Sequence, residues 1–179
     1  MDAIVDLNPG SAAGRRAALY LDSSLREKVI EHVFVGDLLR LLWTKGALDV
    51  EVLRAEVDRG GYDLVLECNR VLRHVQFKSS HRGAKTSEVS VNLKLADKPS
   101  GCVIWVLFDQ DTLQLGPFLW FGGAPGKTMP PVGDKVARHT KADAFGRKAE
   151  RPNLRVVARR RFIPLATMED VVTALFGKA

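Results

Sequence analysis

Asp63, Gln76 and Lys78 are the residues best able to do chemistry in this chain, because of where they sit in two short apolar runs. The runs are Gly61-Tyr62-Asp63-Leu64-Val65-Leu66-Glu67 and Val75-Gln76-Phe77-Lys78, and both carry polar residues where a fully buried strand would have none. Residues two apart on a strand share a face, so His74, Gln76 and Lys78 point one way. In the earlier run Tyr62, Leu64 and Leu66 face one side, and Asp63, Val65 and Glu67 the other. If the two strands are neighbours, a carboxylate, an amide oxygen and an ammonium meet at one spot. That set is the minimum for holding a divalent metal and a phosphate.

The elements that must position these groups can be read outward from them. Ser23 or Ser24 can cap a helix from about Leu25 to Lys45, with Gly46 as its stop. Its apolar residues (Val29, Ile30, Val33, Phe34, Val35, Leu38, Leu39, Leu41, Leu42 and Trp43) surround most of the helix, which predicts a largely buried one. Glu27 and Glu31 lie beside Phe34, Leu38 and Leu42 on that surface, and an ionised carboxylate there needs a metal or a partner such as Arg40. Residues 48–58 read as a first strand, and 61–68 with 71–79 as a hairpin around Asn69-Arg70.

Further along, residues 86–97 alternate like a strand, while Val89, Leu93 and Ala96 would also line a helix. Cys102 to Phe108 predicts a buried central strand, and Asp109-Gln110-Asp111-Thr112 turns the chain into another ending near Phe121. The segment 122–153, rich in Gly, Pro and basic residues, predicts a long surface excursion, followed by an outer strand over 154–159. Thr167 caps a closing helix from Met168 to Phe176 that Gly177 ends. Residues 1–22 read as a leader and 23–179 as one domain.

The order of helix with Glu, strand, strand with Asp, then strand with Gln-x-Lys resembles the PD-(D/E)xK nuclease superfamily, the restriction-endonuclease-like fold. The resemblance covers roughly residues 25–121. It implies an α/β fold with an αβββαβ core, a mixed central sheet flanked by helices, and a helix over 86–97. It also implies a metal-dependent nuclease that hydrolyses phosphodiester bonds in nucleic acid, with DNA the expected substrate. The matching positions are Glu31 (Glu27 as alternate), Asp63, Gln76 and Lys78. Asp63, Gln76 and the Phe77 carbonyl would hold Mg²⁺ or Mn²⁺, and Glu31 a second metal or its water. Lys78 would stabilise charge on the phosphate, with His74 and Ser79 in supporting positions. The chain departs from the family pattern at Tyr62, where a Pro is usual, and at Gln76, which brings a carbonyl oxygen but no negative charge. Such a site leans more on Asp63 and Glu31, and a non-catalytic nucleic-acid-binding or interaction module on the same fold is the alternative.

Composition narrows the partners. At 179 residues with 46% hydrophobic and 27% charged residues, the chain has enough apolar sequence for a folded core. Its acidic start differs from a signal peptide, and Cys68 and Cys102 lack the spacing of a zinc knuckle, so a cytoplasmic protein is expected. The net charge of +6 is concentrated: residues 134–161 hold ten Lys/Arg against three Asp/Glu, whereas the rest holds 17 against 18. Within that stretch Lys135, Arg138, Lys141, Arg147 and Lys148, with His139, are the candidates for a nucleic-acid backbone, and Arg159-Arg160-Arg161 could add to them. The bland reading of such a run is a solvated loop. A chain this short, without an obvious recognition domain, points to a homodimer or a partner subunit.

Two motifs invite other readings. Gly122-Gly123-Ala124-Pro125-Gly126-Lys127-Thr128 is close to a phosphate-binding loop, but Phe121 stands where the first Gly belongs, and Pro130-Pro131 would break the helix it needs. A surface turn is expected instead. Trp105, Trp120 and Phe121 could stack on bases, yet their apolar strands favour core packing.

Overall fold

A computed structural model describes residues 23–55, 57, 59–142 and 146–177, so the leader over 1–22 lies outside the described residues. Helix α1 (Ser23–Thr44) ends in a Schellman turn. The Gly46 amide bonds the Trp43 carbonyl at 3.0 Å and the Ala47 amide bonds Leu42 at 3.0 Å, with Gly46 at φ 75°. Burial is one-sided. Ile30, Glu31, Phe34, Val35, Leu38 and Leu42 are buried, while Val33, Leu39 and Trp43 are exposed, Trp43 to 72%. The largely buried helix expected from composition is thus a surface helix with one face packed on a sheet.

Strand β1 (Val50–Arg54) is shorter than the expected 48–58. Strands β2 (Leu64–Cys68) and β3 (Val71–His81) form the expected hairpin, with Leu64 opposite Val75 and Cys68 opposite Val71. Its turn residues Asn69 and Arg70 lie at φ 48° and 66°, the left-handed conformation that a two-residue turn of this hand demands.

The stretch over 86–97 resolves into both of its readings. Strand β4 (Glu88–Asn92) is followed by a single-turn helix α2 (Leu93–Ala96), capped by the Asn92 side chain on the Lys94 amide at 3.1 Å. The longer helix is not formed, because Val89 and Val91 pack as alternating strand residues and Asn92 then restarts the backbone. Strands β5 (Gly101–Phe108) and β6 (Leu115–Gly122) follow as expected. Every residue of β5 is buried, as befits a strand covered on both faces.

Most of the region read as a surface excursion is irregular chain, but it contributes to two strands. Strands β7 (Val136–Arg138) and β8 (Glu150–Ala158) pair with β4 into a three-stranded antiparallel sheet, ordered β4-β8-β7. The expected outer strand over 154–159 is therefore the middle of a second sheet. Met129, Val132, Ala137 and Val157 are buried, and these small apolar clusters were diluted in the sequence by the surrounding Gly, Pro and basic residues. A 3₁₀ turn (Arg159–Arg161) leads to strand β9 (Ile163–Leu165) and helix α3 (Met168–Phe176). Thr167 and Asp170 cap α3 reciprocally.

The six-stranded sheet runs β1-β2-β3-β5-β6-β9, with β3 and β5 parallel and the other neighbours antiparallel. This is the expected α/β class, a mixed central sheet with helices against it. One face packs on α1 and α3 through Phe34, Leu38, Leu64, Leu66, Ile104 and Leu175. The other packs on α2 and the small sheet through Val91, Leu95, Val103, Trp105 and Phe121. Trp105, Trp120 and Phe121 are core residues, at 0%, 4% and 3% exposure. Residues 123–128 form a turn closed by the Lys127 amide on the Ala124 carbonyl at 3.0 Å, with no helix after it.

Candidate functional site

Unequal strand lengths create the site. Strand β2 has five residues and β3 has eleven, so the ladder between them stops at Leu64 and Val75, with one further bond from the Asp63 amide to the Val75 carbonyl at 2.9 Å. The next amide of β3 on that edge belongs to Phe77. It donates instead to the Asp63 carboxylate at 2.6 Å, which takes the place of the missing main-chain acceptor. A charge-assisted bond of that length fixes the carboxylate at the end of the hairpin.

Gly61 sets the entry to this corner. It lies at φ 75°, and a Cβ there would meet Asn92 at 2.7 Å, so only glycine lets the chain approach the start of α2. The turn also breaks the alternation expected through Tyr62. Leu64 and Leu66 lie in the core under α1 and α3, whereas Tyr62 packs against the opposite core, because the strand begins only at Leu64. Asp63 accordingly comes to the α1 side.

There it lines a cavity of about 490 Å³ with Ser24, Glu27, Lys28, Glu31, Lys78 and Ser79. The structure thus brings Asp63, Lys78, Glu31 and the alternate Glu27 together. Glu31 is 6% exposed, and both of its oxygens are engaged. Lys28 bonds Oε2 at 3.1 Å, and Arg54 bonds Oε1. Arg40, the partner considered from sequence, pairs with Asp37 at 2.7 Å instead, since a residue nine positions along α1 faces away from Glu31. Sequence reading missed Lys28 and Arg54. The i,i+3 spacing of Lys28 was a visible signal, whereas Arg54 reaches Glu31 only through the β1 pairing.

Gln76 is placed differently. It is 6% exposed on the face toward the small sheet, where its Oε1 accepts from the Asn92 amide at 3.3 Å. It lines a second cavity, of about 480 Å³, with Lys78, Ser90 and Asn92. Lys78 lines both cavities. His74 accompanies neither, and its Nδ1 lies 2.9 Å from the Pro99 carbonyl oxygen.

The donors on the α1 side are hard oxygens. Among the described residues no group of three His, Cys, Asp or Glu is close enough to hold a metal. A magnesium ion does not require three, since it commonly takes one or two carboxylates and keeps several waters. Asp63, Glu27 and Glu31 supply to one cavity the hard carboxylate oxygens that such an ion takes. The Lys28 side chain that competes for Glu31 is 67% exposed, so its contact is easily exchanged.

Of the basic candidates, Lys135 pairs with Glu88 at 2.7 Å and Arg138 with Glu150 at 3.3 Å. Lys141, Arg147 and Lys148 are exposed. Among the described residues no helix is long and apolar enough to cross a membrane.

No family model matches the chain, and none of the curated proteins matches it. Among solved structures it is similar to a bacterial homing endonuclease, I-Ssp6803I. The identity is 20% and the TM-score 0.34, over 71% of this chain and 86% of that one. An overlap that low decides nothing about activity.

Proposed function

We propose that this chain is a divalent-metal-dependent nuclease acting on phosphodiester bonds, with DNA as substrate. The observation that carries the reading is the single cavity that Asp63, Lys78, Glu27 and Glu31 share at the end of β2. Asp63 and one glutamate would hold Mg²⁺ or Mn²⁺. When bound, the ion would acidify a water and offset charge on the scissile phosphate. The chain's own residues supply the rest. The Phe77 amide holds Asp63 in one orientation, so the carboxylate is presented without reorganisation. Lys78 brings a positive charge to the cavity wall, where a phosphate oxygen gains negative charge. Glu31, fixed by Arg54, positions the exchangeable Lys28 on the helix side of the cavity. Gln76 supports the floor through Asn92 rather than by ligation.

The test is cleavage of supercoiled plasmid with Mg²⁺ or Mn²⁺, comparing wild type with Asp63→Asn and Lys78→Met, alongside Mn²⁺ binding followed by electron paramagnetic resonance. Activity lost in both variants, with Mn²⁺ binding lost in Asp63→Asn alone, supports the reading. Cleavage unchanged by either substitution overturns it.

The engaged Glu31 and the inward Gln76 favour a second reading, a nucleic-acid-binding module without catalysis. Salt-sensitive binding with no cleavage and no Mn²⁺ uptake would select it.

A further inference from the structure

The outer face of the small sheet is a continuous trough. Three concavities adjoin along it: one at Gln76 and Lys78, one across Ser90, Lys135 and His139, and one at Lys85, Arg159 and Arg160. The first shares Ser90, His139 and Glu150 with the second, and the second shares Glu88, Lys135 and Val156 with the third. Lys78 joins this trough to the cavity that holds Asp63. Eight Lys/Arg line it against two acids, Glu88 and Glu150.

Both acids are already neutralised, by Lys135 and Arg138. Lys85, Lys148, Arg151 and Arg160 are exposed, and among the described residues none of the four enters an ion pair with Asp or Glu. A trough with these four cations, Arg151 on β8 and the others in segments flanking the sheet, suits a partner whose charge is dense and regularly spaced. The lining holds no Phe, Tyr or Trp, so it offers no ring on which an unpaired base could stack, which is how sequence-tolerant single-strand binders gain affinity. It offers phosphate contacts. Strand β8, with nine residues, is roughly 30 Å long at ~3.3 Å per residue, the length of about nine base pairs.

We infer that the small sheet β4-β8-β7 is the docking face for a double-stranded nucleic acid, which lies along the trough with one backbone passing Lys78 at the entrance to the Asp63 cavity. This deepens the nuclease reading by naming its substrate as duplex and its seat as a surface apart from the cleavage site.

Binding measured in EDTA separates the two. Fluorescence anisotropy with a 20-base-pair DNA duplex and with the matching single strand would be read across a salt series, using wild type, Lys148→Gln/Arg160→Gln, and the control Arg40→Gln/Lys45→Gln at the C-terminal end of α1. The expected result is tighter binding to duplex than to single strand, and a log–log salt slope about two smaller in the trough variant but unchanged in the control. Unfolding by circular dichroism checks that both variants fold. Equal affinity and slope in wild type and trough variant would overturn the inference, as would a preference for the single strand. Duplex binding without cleavage would leave the docking face standing and remove the nuclease, whereas cleavage with an insensitive trough would do the reverse.

Discussion

Replacing Asp63 separates its role as a scaffold from its role in chemistry. Its carboxylate accepts the Phe77 amide at 2.6 Å, in a partly buried position, where the β2 ladder has ended. Phe77 in turn packs edge-on to Phe34, with ring centroids 4.7 Å apart, so the bond also anchors a core ring. A hydrogen bond to a charged group contributes about 1.5–3 kcal/mol, and a neutral one about 0.5–1.5 kcal/mol. Asp63→Asn keeps an oxygen for the Phe77 amide and loses only the charge. Asp63→Ala leaves the amide without that acceptor. The alanine variant should therefore be less stable than the asparagine variant by about 1–2 kcal/mol. For a domain of this size that gap is roughly 3–6 °C in Tm. Both variants should lack metal-dependent cleavage. Calorimetry or urea unfolding on the three proteins, paired with the plasmid assay, reads both effects. Equal stability of the two variants would show that the Phe77 bond does not hold the corner. An Asp63→Asn protein that still cleaves would remove the carboxylate from the chemistry.

Other substitutions probe the surroundings. Lys28→Met frees one oxygen of Glu31, and titration with Mn²⁺ should then show binding a few-fold tighter than in wild type, on the scale of one exposed ion pair at ~0.5–1 kcal/mol. Arg73, 0% exposed, bonds the carbonyls of Ala174 at 2.9 Å, Leu175 and Gly123 at 3.1 Å. Burial pushes its pKa down, and the carbonyls at the end of α3 offset that burial. Arg73→Met should cost about 2–4 kcal/mol in urea unfolding, because those carbonyls lose their donor. Asp170 is held below its usual pKa, chiefly by the Thr167 amide. A carboxylate depressed in the folded state stabilises above its unfolded pKa, near 3.9, and the benefit is lost as pH falls through the folded value. The Tm gap between wild type and Asp170→Asn should accordingly be full above about pH 5 and close toward pH 2.

How much could be read in advance depended on how local the determinants were. The hairpin was legible because Asn69-Arg70 lies between two alternating runs, and α3 because Thr167, Asp170 and Gly177 all act within one helix. The αβββαβ order rested on the family resemblance, since the alternation over 86–97 by itself reads as a strand. The small sheet was not legible, since β7 has only three residues and β8 carries Arg, Pro and Asn among its apolar positions. Its strands are defined by partners far along the chain, β4 above all. At the site, Asp63, Lys78 and Glu31 share a cavity, but strand parity alone could not show that Tyr62 and Asp63 lie before the strand starts. Parity did place Gln76 and Lys78 on one face. It could not reveal that the two carboxylates open on the other, with only the long lysine stem reaching both.

The two-residue turn at Asn69 and Arg70 also acts as a ruler. It fixes which amide of β3 is the first without a β2 partner, and so which atom the Asp63 carboxylate meets. One residue inserted into that turn would leave two strands able to pair but would advance the count by one, turning every following side chain to the opposite face. Asp63 would then meet the β5 edge of Gln76 rather than the Phe77 amide. Changes in length between β1 and Gly61 carry no such penalty, because that segment does not set the count. Descendants of this chain can therefore vary in length between β1 and Gly61, while the length of the hairpin turn is inherited together with the site.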